Sequence, residues 1–341
     1  MIYGWDLGGA HVKLAVLDER GRLIRAAQAP CPLWLGLEHL ERALRELASG
    51  ESRDALYVLT MTGELADLFP DRATGVATII DTFRRVIDAS DPLVFAGDRF
   101  LDAGAARASW AEVASANWRA TAVLTAALVP NALMLDIGST TADVVLIANR
   151  QVHAQGRDDR ERLAREELVY TGVVRTPLMA VADAVPFDGE WISLMAEHFA
   201  TTGDVYRITG ELDPRFDQAP TADGRDRSRR ASMQRLARMT GCDFDAAPEA
   251  EWERLARWLS HAQIERIRRA CDRTLSRGLV TATAPVVGLG IGHFLAARLA
   301  ASINCPYVEF GVLFDVPAGE RIAVNTCGPA FAVAELARRL A

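Results

Sequence analysis

The chain has 341 residues, with 38 basic and 45 acidic side chains and a formal net charge of −7. That balance argues against a nucleic-acid groove or an anionic membrane surface as the main partner, because either favours a net positive face. Half of the residues are apolar and about a quarter are charged, which excludes disorder, collagen-like repeats and coiled coil. The first segment, Ile2 to Leu17, is apolar and β-branched on both sides of Asp6-Leu7-Gly8-Gly9-Ala10-His11. This predicts strand, tight glycine turn and strand, with a third strand around Leu23. A helix follows, carrying Leu37, Leu40, Leu44 and Leu47 on one face and ending at Gly50. Ala55 to Thr60 reads as a short buried strand, Val94 and Phe95 as another, and Ala103 to Leu128 as a small-residue helical stretch.

The opening pattern then returns. Leu133 to Ile147 is again an apolar strand, an aspartate (Asp136), a small-residue turn and a second apolar strand, so the chain reads as two related halves. From about 149 to 247 the composition changes to polar segments and an Arg-rich run, an elaboration of the second half. A long helix is predicted from Glu249 to Ser276, with Trp252, Leu255, Leu259, Ile267 and Cys271 near one stripe. Pro285 to His293 reads as a buried strand running through Gly288, Gly290 and Gly292 into a helix, and Gly328-Pro329-Ala330 opens a final amphipathic helix.

The five cysteines are far apart and form no C-x-x-C pair, which fits reduced thiols better than disulfides or a zinc site. No apolar run approaches the length of about 18 to 20 residues that a membrane helix needs. The first residues carry no basic region followed by an apolar stretch, so the expected location is cytoplasmic. The basic count hides an odd split: 37 arginines accompany a single lysine, Lys13.

An aspartate at the end of a buried strand, followed by glycine and hydroxyl residues, brings backbone N–H groups and hydroxyls to one point. Such a turn suits phosphate oxygens, and its aspartate suits a water-mediated magnesium ion. Each turn could equally be an ordinary hairpin and each aspartate a cap. Two such turns, together with the later Gly288-Leu289-Gly290-Ile291-Gly292 strand-to-helix turn, make three phosphate-compatible loops in a duplicated α/β frame.

This ordered set resembles the sugar kinase, actin and heat-shock-protein superfamily, through Asp6 to Lys13, Leu135 to Val145 and Val286 to Leu295. Asp136 to Val144 with Met61 to Asp67 is most similar to the hydantoinase A and oxoprolinase branch. Gly4 to Ala10, Thr60 to Asp67, Ala116-Asn117-Trp118, Tyr170 to Pro177 and Phe199 to Arg207 resemble the tetrahydromethanopterin-linked one-carbon pathway proteins, which include the archaeal synthase of methanofuran biosynthesis. The resemblance implies an α/β fold of two duplicated actin-like (ribonuclease H-like) domains with an active-site cleft between them. Residues 1–128 would form the first, with the helix 329–341 packing back near the hinge, and 129–328 the second, with the insertion at about 149–247.

The implied activity is that of a transferase of methanofuran or methylofuran biosynthesis. It joins an aminomethylfuran-methyl diphosphate to the phenol oxygen of a glutamyl-tyramine or tyrosine-type acceptor and releases diphosphate. The superfamily pattern alone favours an ATP-dependent kinase or amidohydrolase instead; under the transferase reading ATP is not required. Small-molecule substrates are expected as partners, with no nucleic acid and no membrane, and a homodimer is compatible with the pattern.

Under this resemblance Asp6 and Asp136 would hold Mg2+. Gly8, Gly9, Gly138, Ser139, Thr140, Thr141 and Gly290 would meet diphosphate oxygens. Lys13, on the strand leaving the first turn, could reach a phosphate as a point charge, or sit by chance on a strand surface. His11 could donate to phosphate or stabilise its own turn. The phenol must lose a proton, which calls for a carboxylate or histidine. Glu64 is the first candidate, because it follows a buried strand in a segment where active-site loops commonly sit, although it could equally face a helix dipole. Asp143 is the second, or could orient the hydroxyls of the second turn. Arg175 and Arg207 could fork onto substrate carboxylates, with Thr171 beside them, while the run Arg225 to Arg230 is better read as a solvated face. Trp5, Trp118 and Tyr170 could stack on substrate rings, but packed core is the better default.

Overall fold

The structure is a computed structural model, and it describes residues 1–48, 55–88 and 91–340. The chain opens with β1 (Ile2–Leu7), β2 (His11–Leu17) and β3 (Leu23–Pro30), followed by α1 (Glu38–Leu47), β4 (Leu56–Met61), α2 (Arg72–Ile87), β5 (Leu93–Ala96) and β6 (Arg99–Leu101). The expected helix stop at Gly50 lies outside the described residues. The strands form one sheet in the order β3-β2-β1-β4-β5-β6. The β1–β2 and β2–β3 pairs are antiparallel, whereas β1–β4 and β4–β5 are parallel.

Register decides what reaches each face. Asp6 lies opposite Lys13 on β2 and Thr60 on β4, so these three side chains leave the sheet on the same side. Their neighbours Trp5, Leu7, Leu14 and Leu59 enter the core instead, against Leu40 and Leu44 of α1 and Val76, Ile79 and Phe83 of α2. The stretch from Ala103 to Leu128 is three helices rather than one: α3 (Ala103–Ala108), α4 (Trp110–Val113) and α5 (Asn117–Leu128). Helical geometry fails at Ser115, whose φ is 52°, a left-handed conformation that cannot continue an α-helix.

Next come β7 (Ala132–Ile137), β8 (Ala142–Ala148), β9 (Gln151–Val152), α6 (Asp159–Ala164), β10 (Leu168–Val169), β11 (Ala184–Phe187) and β12 (Glu190–Ser193). They are followed by α7 (Thr202–Thr209), α8 (Arg229–Met239), α9 (Glu249–Leu275), β13 (Val286–Leu289), α10 (His293–Ser302), β14 (Tyr307–Glu309), α11 (Arg321–Thr326) and α12 (Gly328–Leu340). The second large sheet runs β10-β8-β7-β13-β14, with β9 on β8. Read by position, it repeats the third-second-first-fourth-fifth order of the first sheet. The duplication visible in the sequence is thus a duplication of sheet topology.

By internal contacts the chain divides into two compact units. The first takes Met1–Met134, Val145–Arg162 and Glu309–Ala341; the second takes Leu135–Val144 and Leu163–Val308. Within the first, α12 packs on β1, β2, β4 and α5, with Ala330 and Ala334 lying directly on Gly4. Among the described residues no helix is long and apolar enough to cross a membrane.

Candidate active site

The two aspartate-glycine turns are built alike, one in each unit. Gly8 N–H donates to His11 O at 3.0 Å in the first, and Gly138 N–H donates to Thr141 O at 2.9 Å in the second. Each turn therefore closes on itself at the same place, three residues on. The tip amides of Gly9 and Ala10, and of Ser139 and Thr140, carry no hydrogen bond among the described residues and are partly exposed. Paired amide donors of this kind suit an anion. Counted from its aspartate, Lys13 follows Asp6 by seven residues as Asp143 follows Asp136 by seven. The two turns thus differ in the charge that accompanies them.

In the first unit Lys13 Nζ lies 3.7 Å from Asp6 Oδ2, with the lysine side chain 21% exposed and the aspartate nearly sealed. The lysine neutralises a buried carboxylate while its side chain stays partly accessible. His11 is buried. Cys327 lies close enough for both charges to act on it, yet burial dominates and pushes its thiol up to about 12, which leaves it protonated and unreactive.

Glu64 sits in the Gly63–Leu65 turn after β4, packed under the first glycine turn: Thr62 N–H donates to Leu7 O at 3.2 Å, and Gly63 Cα stands beside Gly9. It is 1% exposed. Ser115 Oγ lies 2.9 Å from Glu64 Oε1 and 3.0 Å from Asp159 Oδ2. Arg72 Nη2 donates to the same Asp159 oxygen at 2.7 Å. Glu64 Oε2 is buried and has no hydrogen-bond partner among the described residues. Burial holds the Glu64 carboxyl above the usual glutamate range; the Ser115 bond opposes this and the Asp159 charge adds to it. Beside this group, the Arg162 guanidinium lies 3.9 Å over the Trp118 ring, a cation–π pair. Sequence reasoning missed Arg72, Ser115, Asp159 and Arg162. The only signal was the Ala116-Asn117-Trp118 motif, which follows Ser115 directly.

In the second unit the segment Tyr170 to Pro177 is laid along the second turn. Val174 and Arg175 N–H both donate to Ser139 O, at 3.1 and 2.9 Å, and Arg175 Nη1 donates to Thr140 Oγ1 at 3.2 Å. Burial lowers the Arg175 pKa from its ordinary value. Gln263 of α9 fixes the segment from below. It donates to Thr171 Oγ1 at 2.9 Å and Gly172 O at 2.8 Å, and accepts from the Tyr206 hydroxyl at 2.6 Å. Thr171 Oγ1 therefore accepts from the scaffold, and the residue is buried. Gly290 has φ 80°, and a Cβ there would overlap Ile137 O and crowd the Asp136 carboxylate. Gly290, Asp136 and the second turn are thereby brought together, as are Arg175 and Thr140. Asp143, on β8, pairs with Leu168 of β10.

A Cβ on Gly172 would overlap the Thr140 amide and the Ser139 carbonyl, all backbone atoms. Gly172→Ala is therefore expected to push the segment off the second turn. Circular dichroism and thermal melting will show a destabilisation of about 1–3 kcal/mol, within the range for overpacking. An unchanged melting temperature counts against this contact.

The Arg207 side chain is nearly sealed and its donors meet two carboxylates. Its Nε and Nη2 donate to the Asp217 carboxylate at 2.6 and 2.7 Å, and Nη1 donates to Asp204 at 3.0 Å. These ion pairs hold its charge more firmly than burial weakens it. In the Arg-rich run, Arg229 donates to Ile208 O and Glu253, while Arg230 covers the Phe244 ring. The run is exposed throughout, as a solvated face should be, with Arg229 tying it to α9. Trp5 and Trp118 are buried in the core, whereas Tyr170 is 56% exposed.

Two sheets of one order, each opening on a strand, aspartate, glycine turn and strand, define an actin-like α/β protein. The fold matches a nucleotide-free acetone carboxylase structure at a TM-score of 0.57, with 11% identity, over 98% of this chain and 70% of that one. The chain belongs to the hydantoinase/oxoprolinase family, whose model matches residues 56–316. It is 29% identical over 340 residues to the (4-{4-[2-(gamma-L-glutamylamino)ethyl]phenoxymethyl}furan-2-yl)methanamine synthase of Methanocaldococcus jannaschii, covering 99% of this chain and 98% of that protein. The Methanococcus vannielii enzyme of the same name is 30% identical over 115 residues, covering 34% of this chain and 51% of that protein.

Proposed function

We propose that this protein is a transferase that forms an aryl methyl ether in the biosynthesis of a methanofuran- or methylofuran-type cofactor. It would join an aminomethylfuran-methyl diphosphate to the phenol oxygen of a glutamyl-tyramine or tyrosine-type acceptor and release diphosphate. The observation that carries this reading is the similarity to the archaeal synthase, which runs the length of both proteins. The product named for that enzyme contains a phenoxymethyl-furan bond, so the bond made is an ether from a phenol oxygen to a furylmethyl carbon.

Displacement at such a carbon builds positive charge on the CH2 and negative charge on the leaving diphosphate. In the first unit Lys13 and the tip amides of its turn, and in the second unit the tip amides of its own turn, are each donors suited to such an anion. Asp6 and Asp136 are single carboxylates beside those donors, and among the described residues no group of three or more His, Cys, Asp and Glu is placed to hold a metal. Either carboxylate with its own turn fits Mg2+, which keeps several waters and takes its remaining ligands from one or two carboxylates and from substrate phosphates. When bound, the ion would neutralise charge on the leaving diphosphate. Glu64 is the candidate base for the phenol, with Asp143 second. Arg175 is the candidate fork for a substrate carboxylate.

The test is incubation of the purified protein with the furfuryl diphosphate, Mg2+ and glutamyl-tyramine or tyrosine. Release of diphosphate with appearance of the ether by mass spectrometry is expected. ADP formation from ATP with no turnover of the furfuryl diphosphate overturns the reading in favour of a kinase or amidohydrolase. In the same assay Lys13→Met is expected to weaken inorganic diphosphate binding about 10- to 100-fold, the value of a charge-assisted contact. Unchanged calorimetric affinity removes Lys13 from the site.

A further inference from the structure

A hydroxyl carries one hydrogen, yet Ser115 Oγ lies within hydrogen-bond distance of oxygens on two carboxyl groups, at 2.9 Å from Glu64 and 3.0 Å from Asp159. Ionised carboxylates only accept. If both were ionised, one contact would set two electronegative oxygens together with no hydrogen between them. The second contact becomes a hydrogen bond when one carboxyl holds a proton and donates it to Oγ. Arg72 decides which. Its guanidinium pairs with Asp159 at 2.7 Å and favours the ionised form there. Glu64 is sealed from solvent, which favours the neutral acid. Burial first, and then the charge of Asp159 from α6, raise the Glu64 carboxyl, while its own backbone N–H, the Ser115 bond and Arg72 from α2 pull the other way, and the net direction is up.

We propose that Glu64, Ser115 and Asp159 share one proton and form a relay that carries a proton from Glu64 out to the Asp159–Arg72 pair. The shared proton stands on this geometry alone; its use in turnover rests on the ether-forming reading above. Turnover moves one proton through the chain. The acceptor's O–H bond breaks and its proton bonds to Glu64 Oε2, while the O–H on Oε1 breaks and that proton bonds to Ser115 Oγ. The hydrogen that Ser115 held passes to Asp159 Oδ2 and from there to water, since the Asp159 and Arg72 side chains are 14% and 25% exposed. The acceptor oxygen keeps its electron pair and forms the ether bond as the carbon–diphosphate bond breaks. Because Oε2 is buried, the acceptor reaches it only when the turn bearing Glu64 opens.

The proposal is tested by infrared titration of the ligand-free protein, which needs no substrate. A carboxylic-acid carbonyl band is expected at neutral pH and is expected to vanish in Glu64→Gln. In Asp159→Asn its titration midpoint is expected at lower pH, because a like charge has gone. In Ser115→Gly, which tolerates the left-handed backbone, the band is expected to shift in frequency. Absence of a band assignable to Glu64, or a band that neither variant moves, overturns the proposal. In turnover, Ser115→Gly and Asp159→Asn are expected to lower kcat about 10- to 100-fold with KM unchanged. Wild-type kcat in both overturns the relay and leaves the ether-forming reading intact. A wild-type protein that does not turn over the diphosphate overturns that reading, and the infrared band still decides the shared proton.

Discussion

Asp204→Ala is expected to lower the stability of the second unit by about 3–5 kcal/mol, the range for removing one partner of a buried ion pair. Asp204 has no exposed side-chain surface, and its Oδ1 accepts from Arg235 Nε at 2.8 Å and Arg207 Nη1 at 3.0 Å. Arg235 is itself fully buried and keeps only Asp223, Ser232 and the Asp226 carbonyl once Asp204 is gone. A desolvated guanidinium then loses its nearest counter-charge and is left with the longer Asp223 pair. Asp204 also completes the capping box of α7, where its Oδ2 accepts from Thr201 N–H at 3.0 Å. Loss of that cap adds about 1 kcal/mol. Asp204→Asn keeps the shape but offers one acceptor oxygen, which can meet either Thr201 N–H or the guanidinium groups and not both, so urea midpoints should rank wild type above Asn and Asn above Ala. Equal midpoints for wild type and Asp204→Ala would mean that the network is not holding the insertion.

Glu64→Gln is expected to lower kcat about 10²- to 10⁴-fold, the usual contribution of a positioned proton acceptor. Stability should move differently. Burial first, and the Asp159 charge beside it, raise the Glu64 pKa above its unfolded value against the Ser115 bond and Arg72. The folded protein therefore holds this proton more tightly than the unfolded chain. The stability Glu64 contributes is complete below its unfolded pKa and drains away as pH rises through the folded one. Glutamine cannot ionise, so the variant should lack this alkaline loss, and its melting temperature should depend less on pH over that window. For turnover, the relay starts from protonated Glu64, so the wild-type rate should fall on the alkaline side as this carboxyl ionises, above the ordinary glutamate range. A full-rate Gln variant would pass the base role to Asp143.

Much of the frame was legible because it is written locally. A strand shows as a run of β-branched and apolar residues, and a tight turn as glycines at its tip, so both aspartate turns and the glycine turn before α10 could be placed from spacing. The duplication followed from finding the pattern twice. The lone lysine acquired its place in the same way: on an antiparallel hairpin, a residue seven positions past Asp6 lies opposite it. Where local signals stopped, so did the reading. Ala103 to Leu128 looked like continuous helix because its residues favour helix throughout, and the extended Ala114 with the left-handed Ser115 separates α4 from α5.

The partners of charges were not legible. Nothing in the spacing of Arg207 distinguishes a substrate fork from a buried pin, and packing decided it by bringing Asp217 and Asp204 to its guanidinium. Glu64 was singled out for following a strand, but Arg72, Ser115 and Asp159, which set its proton, arrive from α2, the α4–α5 link and α6. The sequence by itself determined two aspartate-glycine turns, the family and the position of the single lysine. Only the tertiary structure decided which side chains neutralise one another. Turns are fixed by neighbours along the chain, whereas the energy of a buried charge depends on groups that folding alone brings within a few ångströms.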